Sequence, residues 1–296
     1  MIAAAHDWFD DLDLDPTSSW RHMGTRSLGS RPWLVVDGRS DHERSLRAHL
    51  LAERRSEVFA APPAEIGDEV CALVATEVEV RRDVDPDSLA CAGLAIQEDL
   101  CLLRRHDRSW HLDAAMLCFP SRWRLTDKIG RPLVEVHAPT PGYAEHLAPR
   151  VDRLLDRLTD RPVVRRNWFV HPDPSLHQPD ALVVDPILPT GDVLDGLHIR
   201  SERQTLRKLD SGWVLFTIRI QHDPLGIALD RHERWHRFRH YVEHAPDDDL
   251  AHRGMAPQQV TEVRRRLAED GPWSPDTRTP GGSSLRGTAD GTALPG

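Results

Sequence analysis

Two apolar runs separated by three turn formers constrain this chain more than any other feature. Leu197–Leu209 and Trp213–Gln221 are rich in residues that suit a pleated strand, and Asp210-Ser211-Gly212 between them leaves room only for the chain to reverse. The pair predicts an antiparallel hairpin. A further strand is predicted over Val163–Val170. Upstream, Ala90–Leu103 reads as a helix end running into a strand, Arg104–Trp110 as a turn and His111–Phe119 as the returning strand, which Pro120 ends. Together these segments predict an α+β fold: an antiparallel sheet of about five strands, with helices inserted between the second and the third.

The helices follow from apolar spacing. Residues 45–60 place Leu46, Leu50 and Leu51 on one face, and residues 64–80 do the same with Val70, Leu73 and Val74, so two helices precede the sheet. Before them, the run Trp33-Leu34-Val35-Val36 suits a strand or a docking segment. Residues 140–158 align Tyr143, Leu147, Val151, Leu154, Leu155 and Leu158 along a stripe that packs on a sheet, interrupted by Pro149, which must start a second helix or kink the first. Two more helices are expected over 230–244 and 257–270, flanking the sheet at the C-terminal side. The Gly, Pro, Ser and Thr of residues 271–296 offer little to bury, which predicts a disordered tail after a single domain over 20–270.

Composition narrows the function. With 296 residues, 39% of them apolar, the chain can bury a sizeable core. The start, MIAAAHDWFDDLDLD, turns acidic at once instead of forming a basic stretch and an apolar run, and no segment is long enough to span a bilayer, so a cytoplasmic location is expected. Cys71, Cys91, Cys101 and Cys118 lack C-x-x-C spacing and read as reduced, buried thiols. A net charge of −9 argues against a nucleic-acid partner. Lys128 and Lys208 are the only lysines, so positive charge is almost entirely guanidinium.

Two constellations carry candidate chemistry. His232-Glu233-Arg234-Trp235-His236 matches H-E-x-x-H on a predicted helix, where the two imidazoles could hold zinc and Glu233 act as base. No glycine turn or third ligand follows, and His240 and His244 continue the same row, so one polar helix face explains the pattern more simply. The second candidate is a haem or small-ligand pocket around His137. Pro139 and Pro141 stiffen the loop that presents this ring, and His146 on the following helix is its rival. Strand alternation from Leu197 and Ile199 continues to Arg203, which would turn a guanidinium inward; an internal carboxylate (Glu135, Glu202 or Asp127) or a ligand carboxylate would have to meet it. Arg165 and Asn167 share a face of the neighbouring strand. Cys118 is a possible thiolate ligand, a buried structural thiol being the simpler reading. Ser121 and Asp127 make no triad with His137, since no G-x-S-x-G elbow is present.

Several segments in the same order, CFPSRWRLTDKIGRPL, VHAPTPGYAEHLAPRVDRLL, RRNW and HIRSERQTLRKL followed by GWVLFTIR, resemble the haem-dependent oxidative N-demethylase family over roughly residues 20–245. The resemblance implies a haem b held in a PAS-like core, here about residues 95–222, and an oxygen-dependent, monooxygenase-type demethylation of a small secondary amine to a primary amine and formaldehyde. It points to His137 as the axial ligand, with His146 as alternative, to Arg203 and Arg200 as propionate partners, and to Tyr143, Asn167, Trp123 and Trp168 around the cofactor or in packing. No G-x-G-x-x-G fingerprint and no cluster-type cysteine spacing is visible. The resemblance implies that electrons, drawn from NADPH, come from separate flavin or iron–sulfur subunits. A haem- or ligand-sensing protein without turnover, and a zinc hydrolase through His232, Glu233 and His236, are the alternative functions.

Overall fold

The structure is a computed structural model that describes residues 7–18, 23–140, 142–269 and 271. The tail expected from residue 271 lies, from 272 onwards, outside the described residues, as does Pro141.

The sheet has seven strands, not about five. Five are long and correspond to the predicted runs: β3 (Glu98–His106), β4 (Ser109–Met116), β5 (Val163–His171), β6 (His198–Lys208) and β7 (Val214–Pro224). The two extra strands, β1 (Arg26–Ser27) and β2 (Phe59–Ala60), are two residues each and sit at opposite edges. A two-residue strand has no alternation of its own to read; it exists because a neighbouring long strand offers it a ladder. The order is β1-β5-β6-β7-β3-β4-β2, and every pair is antiparallel. Between β6 and β7 the chain turns at Gly212, whose φ of 85° lies in the left-handed region that glycine enters without strain.

Before the sheet, helices cover Ser40–Glu53, Ala64–Ala75 and Ser88–Ala95, the last opened by Asp87, whose carboxylate accepts from the Leu89 amide. Residues 28–37 form no strand. They dock instead: Trp33 and Leu34 are buried, and the Trp33 indole donates to Thr205 Oγ1 at 3.0 Å. The amphipathic segment after Gly142 divides as Pro149 demands. A π-helical turn over Tyr143–Leu147 gives way to an α-helix over Ala148–Arg157, with Pro149 in its first turn, where a missing N–H leaves no bond unmade.

Register divides the sheet into two faces. Asp99, Cys101, Asn167, Glu202, Gln204, Ile218 and Ile220 share one face with Arg165, under a cluster that includes Leu125, Leu133, Leu155 and Leu158 from the inserted helices. The opposite face carries Ile199, Ser201, Arg203 and Thr205. Over part of it pack Trp8 and Phe9 and the C-terminal helices His232–His244 and Pro257–Ala268, through Phe238, Tyr241, Val263 and Leu267. Between those helices a short one over Asp247–His252 has no apolar stripe in the sequence to announce it. No helix among the described residues is long and apolar enough to cross a membrane.

Candidate functional site

His137 ends a four-residue helical turn, Leu133–Val136, that follows Pro132. Its backbone N–H and its Nδ1 both reach the Leu133 carbonyl, at 3.0 and 2.9 Å. A carbonyl oxygen only accepts, so Nδ1 carries the hydrogen and Nε2 keeps its lone pair. Nε2 makes no hydrogen bond among the described residues. Tyr143 lies flat against the imidazole, ring centroids 4.3 Å apart and planes 9° apart, and so fixes the ring's orientation. Burial holds the His137 pKa below its ordinary value despite the Leu133 hydrogen bond, and the charges of Arg165 and Lys128 push the same way. The ring is therefore neutral at physiological pH, as a metal ligand must be.

Arg165 on β5 is the arginine whose charge acts on His137. Its Nε is sealed from solvent without a partner, and the side chain makes no hydrogen bond or ion pair among the described residues. Desolvation lowers its pKa, with Glu202 opposing and Arg253 reinforcing the shift. The Tyr143 hydroxyl is likewise buried without a partner. Asn167, two residues along the same face, accepts from Arg253 at 3.2 Å. Arg122 completes the cluster. It adopts φ 68°, unusual for a side-chain-bearing residue, donates to the Val183 carbonyl at 2.6 Å and lies 3.7 Å over the Phe169 ring, while burial pulls its pKa down to about 10. Glu202 acts on Arg122, Arg165 and Arg200, and Arg253 acts on Arg122 and Arg165, while Asp99, Asp173 and Glu43 also act on Arg200. The partnerless Arg165 is the member of this set that suits an anionic ligand.

The structure separates the other expected residues from His137. Arg203 pairs with Arg166 across the sheet, so it shares a face with Arg166 and not with Arg165 or Asn167. Its guanidinium donates to the Trp33 and Pro32 carbonyls at 2.8 and 2.6 Å, which corrects the expectation that Glu135, Glu202, Asp127 or a ligand carboxylate would meet it. Arg200 is on the correct face but fully committed: Nε to Ser121 Oγ at 2.9 Å, and the terminal nitrogens to the carbonyls of Ser175, Phe119 and Leu176 at 3.1, 2.8 and 2.9 Å. His146 is exposed and packs against Gly142, while Tyr143 on the same π turn points inward. Trp168 is buried on the opposite face and donates to the Asp13 carbonyl, a packing role; Trp123 packs against the cluster beneath the inserted helices. Burial pushes the Cys118 thiol up to about 12, which suits a structural thiol and not a thiolate ligand. His232, Glu233, His236, His240 and His244 all lie exposed, and no third metal ligand joins them among the described residues.

Sequence reading gave Arg122 and Arg253 no role; one precedes and one follows His137 by many residues, and only the folded sheet unites them. A family model described as haem-dependent oxidative N-demethylase, alpha subunit-like, matches residues 51–259. The chain belongs to this family. The match encloses His137, Tyr143, Arg165 and every other member of the basic cluster. No curated protein matches the chain. Family membership makes haem the group to test against the site, and the residues fit it: a neutral imidazole with a free nitrogen, and an arginine whose buried Nε has no partner.

Proposed function

We propose that the chain holds haem b, which His137 Nε2 would bind through the iron and Arg165, on the face shared by β5 and β6, would meet at a propionate. The supporting observation is the His137 tautomer: its Nδ1 is tied to the Leu133 carbonyl, which leaves a directed, neutral Nε2 with nothing else to bind. Tyr143 orients the ring, Asn167 and Arg253 polarise the floor, and the apolar residues Ile218 and Ile220 exclude water. When bound, the haem supplies the oxygen and electron chemistry. Helices inserted after the second long strand and covering one face agree with a PAS-like core over about residues 95–222.

On this reading the chain is the haem-bearing subunit of an oxidative N-demethylase that acts on a small secondary amine, such as dimethylamine, uses oxygen and releases formaldehyde. NADPH-derived electrons reach it from separate flavin or iron–sulfur subunits. The purified protein is expected to show a Soret band that His137→Ala abolishes and His146→Ala leaves intact. Formaldehyde release from dimethylamine with an added reductant then distinguishes an enzyme from a haem sensor. A colourless protein that gains no Soret band when haem is titrated in would overturn the reading.

A further inference from the structure

Away from the haem face, the β3–β4 hairpin gathers His106, His111 and Asp113, whose ligand atoms all lie within 4.8 Å of one another; no other such group of three occurs among the described residues. The arrangement follows from the strand. His111 and Asp113 alternate with the buried Trp110 and Leu112 of β4, so they turn outward. A register shift where Leu103 pairs with Leu112 and Leu102 with Ala114 leaves Asp113 unpaired in the ladder. Freed in this way, its carboxylate reaches His106 Nε2 at 2.5 Å.

His111 is prepared in the same manner as His137. Its Nδ1 lies 3.1 Å from the Gly130 carbonyl, which can only accept, so Nδ1 carries the hydrogen. Nε2 then holds a lone pair, met by the Ser109 hydroxyl at 2.9 Å. A carbonyl behind one ring nitrogen and a free lone pair on the other is the outer arrangement of a metal-binding histidine. The imidazoles of His106 and His111 are 4.5 Å apart between centroids. The cations nearby are directed elsewhere. Arg104, opposite His111, has its guanidinium 5.4 Å from the centre of the Trp213 ring, on the β7 side, while Arg105 pairs with Asp156. Arg131, on the segment carrying Gly130, lies 3.6 Å from Glu135.

The geometry points to a divalent transition-metal site formed by His106 Nε2, His111 Nε2 and Asp113, with zinc as the ion whose taste for two imidazoles, a carboxylate and water it matches. On binding, the Ser109 hydroxyl turns away from His111, and the hydrogen shared by His106 and Asp113 moves to His106 Nδ1, which has no partner among the described residues. The metal would then staple the two strands next to their turn, independently of haem.

Zinc chloride titrated into the haem-loaded full chain against a chromophoric chelator tests this. One equivalent is expected to compete with the chelator. Asp113→Asn, which keeps the shape of the side chain, and the pair His106→Ala/His111→Ala should each weaken that equivalent at least about tenfold. The pair His232→Ala/His236→Ala should leave it unchanged. Absence of competing zinc in the wild type, or loss of the equivalent only with the His232/His236 pair, would overturn the site. Cobalt gives a second readout: ligand-field bands should appear in the wild type and fail to appear in Asp113→Asn, and equal spectra in both would also overturn it.

Discussion

Arg200→Met distinguishes a haem-binding arginine from a structural one. The Arg200 guanidinium is wholly buried and donates to Ser121 Oγ and to the carbonyls of Ser175, Phe119 and Leu176, so it ties β6 to both the chain leaving β4 and the 175–178 loop. Methionine would leave Ser121 Oγ and the Phe119 and Leu176 carbonyls without this donor, while the exposed Ser175 keeps the Gln178 amide on its carbonyl. At roughly 1 kcal/mol for each of the three, the low end of the range for an unsatisfied buried group, the loss is about 3 kcal/mol. Part of this is offset. No carboxylate is bonded to Arg200, and burial pulls its pKa down to about 10, so replacing the cation relieves a desolvation cost. A net loss of about 2 kcal/mol remains, large for one substitution. Urea unfolding of the haem-free protein measures it, and a haem titration of the same variant measures cofactor affinity under conditions where the protein stays folded. The structure requires the stability to fall and intrinsic haem affinity to change little. Unfolding within about 1 kcal/mol of wild type together with a tenfold or larger loss of haem affinity would refute the reasoning and return Arg200 to the propionates.

Arg165→Met should show the converse pattern: haem-free stability near wild type, since no hydrogen bond or ion pair of Arg165 is lost, and weaker haem binding by titration. Acid should destabilise the protein through His171 and His222, whose pKa values burial lowers to about 3 and about 4. The unfolded imidazoles bind protons near pH 6.5 and the folded ones do not, so stability is complete above about pH 6.5. It then falls as pH drops towards 4, by up to about 1.4 kcal/mol per pH unit for each ring, as read from urea midpoints across that window. Cys101 and Cys118, fully enclosed and with raised pKa values, should resist thiol reagents in the native protein and react on unfolding. Gly254→Ala should lower stability by about 2 kcal/mol or more in thermal unfolding, because φ there is 88° and an added Cβ would sit 2.7 Å from the Val170 carbonyl.

The parts of the fold legible in the sequence are those whose own periodicity fills a whole element. β5, β6 and β7 and the helices over 232–244 and 257–268 each have enough residues for alternation or a stripe to emerge. β1 and β2 do not, since two residues adopt whatever a neighbouring strand offers. The π turn over 143–147 was only half legible: Pro149 required a break in the stripe but not its form. His137 could be singled out because the prolines around it act locally. Its tautomer could not, because it depends on a carbonyl four residues back coming into line with the ring.

The arginines pose the harder problem, and it is one of supply. Arg165, Arg200 and Arg203 are chemically identical, and alternation alone puts any of them inside. What separates them is how many acceptors the surrounding chain offers. Arg203 enters a face lined by the non-repetitive residues 28–37, whose carbonyls no strand or helix has claimed, and Pro32 and Trp33 take its hydrogens. Arg200 meets another such supply where the chain leaves β4 and passes 175–178. Arg165 shares the face of Arg200 but lies four residues along β5 from Phe169, the partner of Arg200, and there its buried Nε meets no acceptor. An arginine is left available for a ligand anion where the chain around it brings no acceptor within reach.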